Sequence, residues 1–396
     1  MDKKLKLLPI GIATFDVLRR EHFLYVDKTK QIYNLVTRGR YYFLSRPRRF
    51  GKSLLMSTLK ALFEGKKELF EGLWISTSDY AWKEYAVIHL DFFEIARNSV
   101  EELELGLEER LHYIAKSYGI DIAAISTLEQ KFATLIREMS KKNPVVVLID
   151  EYDHAILNNI SDLKAADECR KILQSFYGIL KSLGEHLHFV FLTGVTKFAK
   201  TSIFSGLNNL NDLTMKESTA ALLGYTHQEL LDNFDEYIQS AATKLKQSPE
   251  ELVATMTEWY DGYQFSDVAE IEGQSVKVYN PWSVLSFFEE NKFSNYWFQS
   301  GSPRFLIDVI KRQQFQPIEL NNLYVGQDQI GAFEIDKIFL PTLLYQTGYL
   351  TIEFFDSEDE RYKLKIPNVE VERSLFKQLL INCTPLEESA TGPLLS

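Results

Sequence analysis

Residues Tyr41 to Phe63 read YYFLSRPRRFGKSLLMSTLKALF, and the order of residue types in them decides the fold. An aromatic and aliphatic run, Tyr41 to Leu44, leads through an arginine-dense loop into Gly51-Lys52-Ser53. Apolar residues at helical spacing follow, Leu55, Leu59, Leu62 and Phe63, with Gly65 placed to end a helix. The pattern predicts strand, loop, helix. A helix N-terminus leaves backbone N–H groups without partners and carries partial positive charge, so Gly51, Lys52 and Ser53 delivered there can wrap a phosphate chain. In such a loop the glycine permits close backbone approach, the lysine reaches the β- and γ-phosphates, and the serine hydroxyl ligates Mg²⁺. The pattern GxxxxGK[ST] asks for glycine at position 46, where this chain has Arg46, so corroboration must come from elsewhere.

It comes from PVVVLIDEYD, Pro144 to Asp153. The aliphatic run Val145 to Ile149 predicts a strand buried on both faces, as in a central parallel sheet. Asp150 and Glu151 stand at its C-terminal end, the edge where open α/β sheets bind ligands. Asp150 is placed to hold Mg²⁺ opposite Ser53, and Glu151 to polarise the water attacking a γ-phosphate; capping of the next helix is the bland alternative. HFVFLTG, His188 to Gly194, predicts a further strand with Thr193 at its tip, where P-loop ATPases of the additional-strand class carry a polar residue that senses the γ-phosphate or its water; a plain turn residue is the alternative. AVIHLDFF, Ala86 to Phe93, predicts another buried strand, in which His89 is read as a core residue because no other His or Cys lies at metal spacing.

Composition bounds the rest. The chain has 396 residues, 45% hydrophobic and 25% charged, enough for two or three domains, and a net charge of −11 that argues against a general nucleic-acid coat. Between Asp27 and Glu64 there is no acid, while Lys28, Lys30, Arg38, Arg40, Arg46, Arg48, Arg49, Lys52 and Lys60 all fall there. A basic island in an acidic chain suggests one anionic ligand rather than affinity for anions at large. Cys169 and Cys383 lie far apart, which points to a reducing, cytoplasmic setting, and no apolar run approaches the roughly 18 residues of a membrane span.

Residues 1–215 are expected to form the phosphate-loop α/β domain, with residues before the loop packing beside it. Ser99 with Glu102 and Ser126 with Glu129 predict capped helices reaching Tyr118 and Met139, and Leu163 to Leu183 a long helix. Residues 216–325 are expected to be a helical lid-like domain, with capping boxes at Thr226/Glu229 and Ser248/Glu251, an aromatic turn at YDGYQF (Tyr260 to Phe265) and a helix opened by Asn280-Pro281. Residues 326–383 read as a helix and two strands joined by the acidic turn DSEDE, the outline of a winged helix whose tip repels phosphate; residues 384–396 read as a disordered tail. Lys197 is read as solvated rather than as a phosphate ligand.

Eight motifs in order carry a resemblance over residues 7 to 370: YVDKT (Tyr25 to Thr29), SRPRRFGKSL (Ser45 to Leu54), LIDEYD (Leu148 to Asp153), TGVTK (Thr193 to Lys197), SGLNNL (Ser205 to Leu210), YDGYQF, YNPWSVL (Tyr279 to Leu285) and TLLYQTGYLTI (Thr342 to Ile352). The chain resembles the bacterial AAA-ATPase-like domain family, in which the phosphate loop has the form RPRRFGKS. The resemblance implies an α/β P-loop NTPase with a mostly parallel central sheet, then a helical and winged-helix-like region. It implies ATP or ADP bound through Arg46, Arg48, Arg49, Phe50, Gly51, Lys52, Ser53 and Leu54, Mg²⁺ on Ser53 and Asp150, and catalysis by Glu151, Lys52 and Thr193. Members are commonly followed by a PD-(D/E)xK nuclease-like domain. No strand-borne ExK follows residue 340, and the chain is expected to stop where that domain would begin, leaving a nuclease-like domain or a partner protein as the thing regulated and direct nucleic-acid binding by this chain unexpected.

Overall fold

Five strands, β1 (Tyr41–Ser45), β2 (Val87–Asp91), β3 (Val145–Asp150), β4 (Leu187–Gly194) and β5 (Asn211–Asp212), form one sheet in the order β2-β3-β4-β1-β5, with every neighbouring pair parallel. The computed structural model describes residues 5–95, 99–198, 203–207, 209–271, 273–299, 304–313 and 323–383; the tail expected at 384–396 lies outside them. Every residue of β3 is buried, which is why its sequence is an unbroken aliphatic run rather than an alternation. β4 lies between β1 and β3, so the phosphate loop that follows β1 and the carboxylates that end β3 flank the tip of β4 on one sheet edge.

Helices cover the sheet. Lys52–Phe63 follows the loop; Val100–Ser117, Leu128–Met139 and Leu163–Ser182 complete the layers. Ser99 caps the second of these as expected, but Thr127, not Ser126, caps the third, accepting the Gln130 N–H at 3.3 Å. The two threonine and serine frames differ by one residue, and the apolar stripe of the helix, Phe132, Leu135, Ile136 and Met139, settles which one is used. The segment before β1 forms helices Phe15–Arg20 and Thr29–Arg38, tied to the loop helix by the Phe15 N–H, which donates to Ser57 Oγ at 2.8 Å.

Both later capping boxes form as read, opening His227–Leu245 and Pro249–Tyr260, and Asn280 caps Pro281–Glu290. These helices share a second core, Leu230, Phe234, Ile238, Tyr260 and Phe287, into which the N-terminal Leu24 and Val26 also pack. After a short hairpin, β6 (Glu270–Ile271) and β7 (Gln274–Ser275), comes a three-stranded antiparallel sheet of β8 (Leu323–Gly326), β9 (Thr351–Asp356) and β10 (Arg361–Lys365), with β10 in the middle. The sequence reading has helix Leu340–Thr347 and the β9–β10 pair but not β8, a four-residue strand placed ahead of that helix. No described helix is long and apolar enough to cross a membrane.

Candidate functional site

The phosphate loop is shaped by two left-handed residues, Arg49 (φ 68°) and Gly51 (φ 95°). A Cβ at Gly51 would meet only Leu223 at 3.9 Å, so the glycine is required by its backbone angle and not by crowding. Lys52, 4% exposed, folds back over the loop and donates to the carbonyls of Arg46 and Pro47 at 3.1 Å each. Burial lowers its pKa, while the carboxylates of Glu151, Asp150 and Asp153 act in the opposite direction. The ammonium therefore sits in the field of the carboxylates at the end of β3. Ser53 and Leu54 begin the helix and stay partly accessible.

The side chains of two residues expected at the nucleotide, Arg46 and Phe50, are committed elsewhere. Arg46 is 1% exposed; its guanidinium donates to the carbonyls of Ser45 at 2.9 Å, Thr214 at 2.6 Å and Thr219 at 3.1 Å, and lies 4.1 Å from the centre of the Phe265 ring. Burial pushes its pKa down to about 10. Its side chain bonds inward, away from any phosphate, because three backbone carbonyls hold it there. Phe50 is likewise a core residue, edge-on to Tyr263 at 4.8 Å and to Phe265 at 5.4 Å. The rest of the basic island disperses as well: Lys28 pairs with Glu229 at 2.6 Å and Lys60 lies 3.9 Å from Glu64. Arg48 and Arg49 remain at the site; Arg49 stacks on Trp282 at 4.3 Å, and the Trp297 indole N–H donates to the Arg48 carbonyl at 3.2 Å. Lys197 is not solvated: it forms an ion pair with Asp212.

The carboxylate edge is ordered by β4. Asp150 is buried, and its Oδ1 accepts the Thr193 hydroxyl proton and the Glu151 N–H at 3.1 Å, leaving Oδ2 as the oxygen for a further partner. Thr193 thus orients Asp150 in this structure. Glu151 adopts φ 51°, a left-handed conformation rare outside glycine, and its Oε2 lies 3.6 Å from His154 Nδ1. Burial lowers the His154 pKa, opposed by Glu151 and Asp153. Asp153 accepts the N–H groups of Val195 and Thr196 and the Thr196 hydroxyl, at 3.1, 2.6 and 2.6 Å, tying the turn after β3 to the turn after β4. Asp91, in register with Asp150, joins the edge with its pKa raised to about 6 by burial, and the Phe93 N–H and the carboxylates of Asp150 and Glu151 act on it too.

The model of a family described as a predicted AAA-ATPase matches residues 9–204, the stretch that holds both the loop and the carboxylate edge. A curated relative, an "Uncharacterized protein in vnfD 5'region" of Azotobacter chroococcum mcd 1, is 36% identical over 387 residues, covering 96% of this chain and 71% of the relative. This chain belongs to the AAA-ATPase-like family. The match ends at residue 204, before Thr214, Thr219, Phe265, Trp282 and Trp297, which grip the loop from the other side. Of these later residues the sequence offered only a general cue, aromatics at high density. Asp91 had a sharper one: a carboxylate ending a buried strand beside another such strand.

Mg²⁺ fits the donors present, a serine hydroxyl at a helix start and a carboxylate with one oxygen to spare, which are hard oxygen ligands. Among the described residues no group of three or more His, Cys, Asp or Glu could hold a metal alone, and Mg²⁺ is ordinarily held by one or two carboxylates together with phosphate oxygens.

Proposed function

We propose that this chain is a Mg²⁺-dependent ATP-binding and ATP-hydrolysing regulatory module. The observation that carries the reading is the convergence of Lys52, at the N-terminus of the loop helix, with Asp150 and Glu151, whose charges act on its buried ammonium. Backbone N–H groups from Arg49 to Ser53 would cradle the phosphates, with Lys52 leaving its two carbonyls to reach them. Ser53 and Asp150 would hold Mg²⁺, which supplies charge neutralisation on the phosphates. Arg48 and Arg49 would add charge from the solvent side, and Thr193 would keep Asp150 oriented. Glu151 would accept a proton from the attacking water; its left-handed backbone sets the direction of the carboxylate. Residues 1–215 would form the ATPase unit, residues 216–325 a lid, and the helix with the β8–β10 sheet a winged-helix-like packing unit. A nuclease-like domain or partner in the cytoplasm would be the target of regulation.

Phosphate release from wild type and Glu151→Gln tests this. A fall of about 10²-fold or more with ATP binding retained is expected for loss of a general base, and equal rates would eliminate it. Lys52→Ala should abolish binding.

One observation favours a second reading, a nucleotide-gated interaction module with negligible turnover: the loop is held by Trp282, Trp297, Tyr263 and Phe265 from the C-terminal half, so occupancy can be transmitted without hydrolysis. Calorimetry showing tight Mg-ATP binding beside negligible phosphate release would favour it.

A further inference from the structure

A polar cavity lies between the edge strand β5 and the helix Leu340–Thr347. Lys197, in the turn after β4, Asp212 at the end of β5, and Gly331, Tyr345 and Gln346 from the C-terminal part of the chain line a volume of about 220 Å³. A cavity of about 150 Å³ holds a benzene ring, so this one has room for a small molecule. We propose that it binds a small oxyanion, a carboxylate or a phosphate, at a site separate from the phosphate loop.

Charge is the first argument. Two cations, Lys197 and Lys216, line the cavity with one carboxylate, Asp212. Lys197 forms an ion pair with Asp212, and both side chains are largely shielded from solvent. An ammonium has three N–H donors, so the pair leaves Lys197 with donors for a further acceptor. Asp212 is closer to saturation, because its Oδ1 also accepts the Thr214 N–H at 2.9 Å. Lys216 is exposed and donates to Asn211 Oδ1. The surplus is of donors and of positive charge, which selects an anion.

An unpartnered hydroxyl is the second. Tyr345 is 4% exposed, and among the described residues nothing bonds to its phenol oxygen. Burial raises its pKa against the opposing field of Arg46, so the phenol keeps its proton. A buried hydroxyl left unpaired is destabilising, and an oxyanion in the cavity would accept that proton.

The walls are also held apart. Gln346 Oε1 accepts the Lys197 backbone N–H at 2.8 Å, and its Nε2 donates to the Gly331 carbonyl at 3.2 Å, which fixes three sides of the cavity to one another. Gly331 has φ −75°, an angle any residue adopts, and a Cβ there would meet only Lys197 Nζ, at 3.7 Å. Neither backbone angle nor crowding requires glycine here; its missing side chain leaves the ammonium uncovered. Thr214, on the same wall, gives its carbonyl to Arg46 at 2.6 Å and its Oγ1 to the Ser45 N–H at 3.2 Å. An occupant would therefore lie against a residue that anchors the start of the loop from outside, the position of an effector rather than of a substrate.

Calorimetry on the full chain with inorganic phosphate and, separately, acetate tests the site. At least one should bind, and the tighter of the two identifies the occupant as phosphate- or carboxylate-bearing. Tyr345→Phe removes only the unpaired hydroxyl and should weaken this binding about 3–10-fold, the worth of one hydrogen bond, while the urea midpoint stays unchanged or rises. Gly331→Leu, which grows a side chain into the cavity from an unstrained backbone, should weaken it at least about tenfold. Lys52→Ala, which disables the phosphate loop, should retain it. Binding lost in Lys52→Ala but kept in Tyr345→Phe and Gly331→Leu would put the anion on the loop and overturn the proposal. Failure of both anions to bind the wild type would overturn it as well.

Discussion

Arg46 carries a positive charge into the interior, and three backbone carbonyls hold it there. A guanidinium can do this because its planar fork presents several donors at once, and weak hydration lowers the cost of burial relative to an ammonium. Lysine offers one compact donor group and cannot span the carbonyls of Ser45, Thr214 and Thr219. Arg46→Lys is therefore expected to destabilise the nucleotide-free protein by about 2–4 kcal/mol in urea unfolding, since buried carbonyls lose their donors. Unchanged stability with weakened ATP binding would instead return Arg46 to the phosphates. From the sequence it read as a phosphate ligand because a basic residue in a phosphate loop has an obvious partner, whereas carbonyls about 170 residues away leave no mark in composition or spacing. The positions of Lys52, Ser53, Asp150 and Glu151 were legible because they lie at a helix start and a strand end, which periodicity locates.

The loop as an element differs from a glycine-rich one in how it is held. A glycine-rich loop takes its shape from backbone freedom; here Arg46, Arg49 and Phe50 each rest on an aromatic side chain, and Arg48 offers its carbonyl to one. Pro47 adds another contact, since a Cβ on Gly348 would come within 2.8 Å of it. External packing therefore replaces internal glycines in fixing the conformation. Phe50 is fully buried, and Phe50→Ala should cost about 3–5 kcal/mol in urea unfolding, with Phe50→Leu retaining most of the stability. ATP affinity should fall in Phe50→Ala even though its ring touches no phosphate, because the loop loses its shape. The strand, loop and helix themselves, and the capping boxes at Thr226 and Ser248, were readable since they are local patterns. β8 was not, because a strand of four residues is shorter than any usable periodicity and its pairing to β10 spans two helices and another strand.

Across the whole molecule, one chain of hydrogen bonds runs from the phosphate loop to the last described helix, Val369–Cys383. The Trp297 indole N–H donates to the Arg48 carbonyl at 3.2 Å, the Trp297 backbone N–H donates to Glu370 Oε1 at 2.8 Å, and Glu370 Oε2 accepts the Ser283 hydroxyl at 2.7 Å. Glu370 is fully buried, and burial pushes its pKa up to about 8 from 4.5, against the lowering effect of the Trp297 and Ser283 bonds. A carboxyl whose pKa is raised by folding stabilises the protein fully below its unfolded value, and that contribution is lost as pH rises from 4.5 to about 8. Glu370→Gln preserves the geometry, its oxygen accepting from Trp297 and its amide donating to Ser283, and has no proton to lose. Thermal or urea unfolding from pH 5 to 9 should show the wild type falling with pH more steeply than the variant, by up to about 1 kcal/mol per pH unit, and the gap should stop widening above about pH 8. Parallel curves would mean that Glu370 ionises no differently in the folded chain. Because the same carboxyl holds Trp297, and Trp297 holds the loop, ATP affinity measured in parallel should change more with pH in the wild type over the same range than in Glu370→Gln.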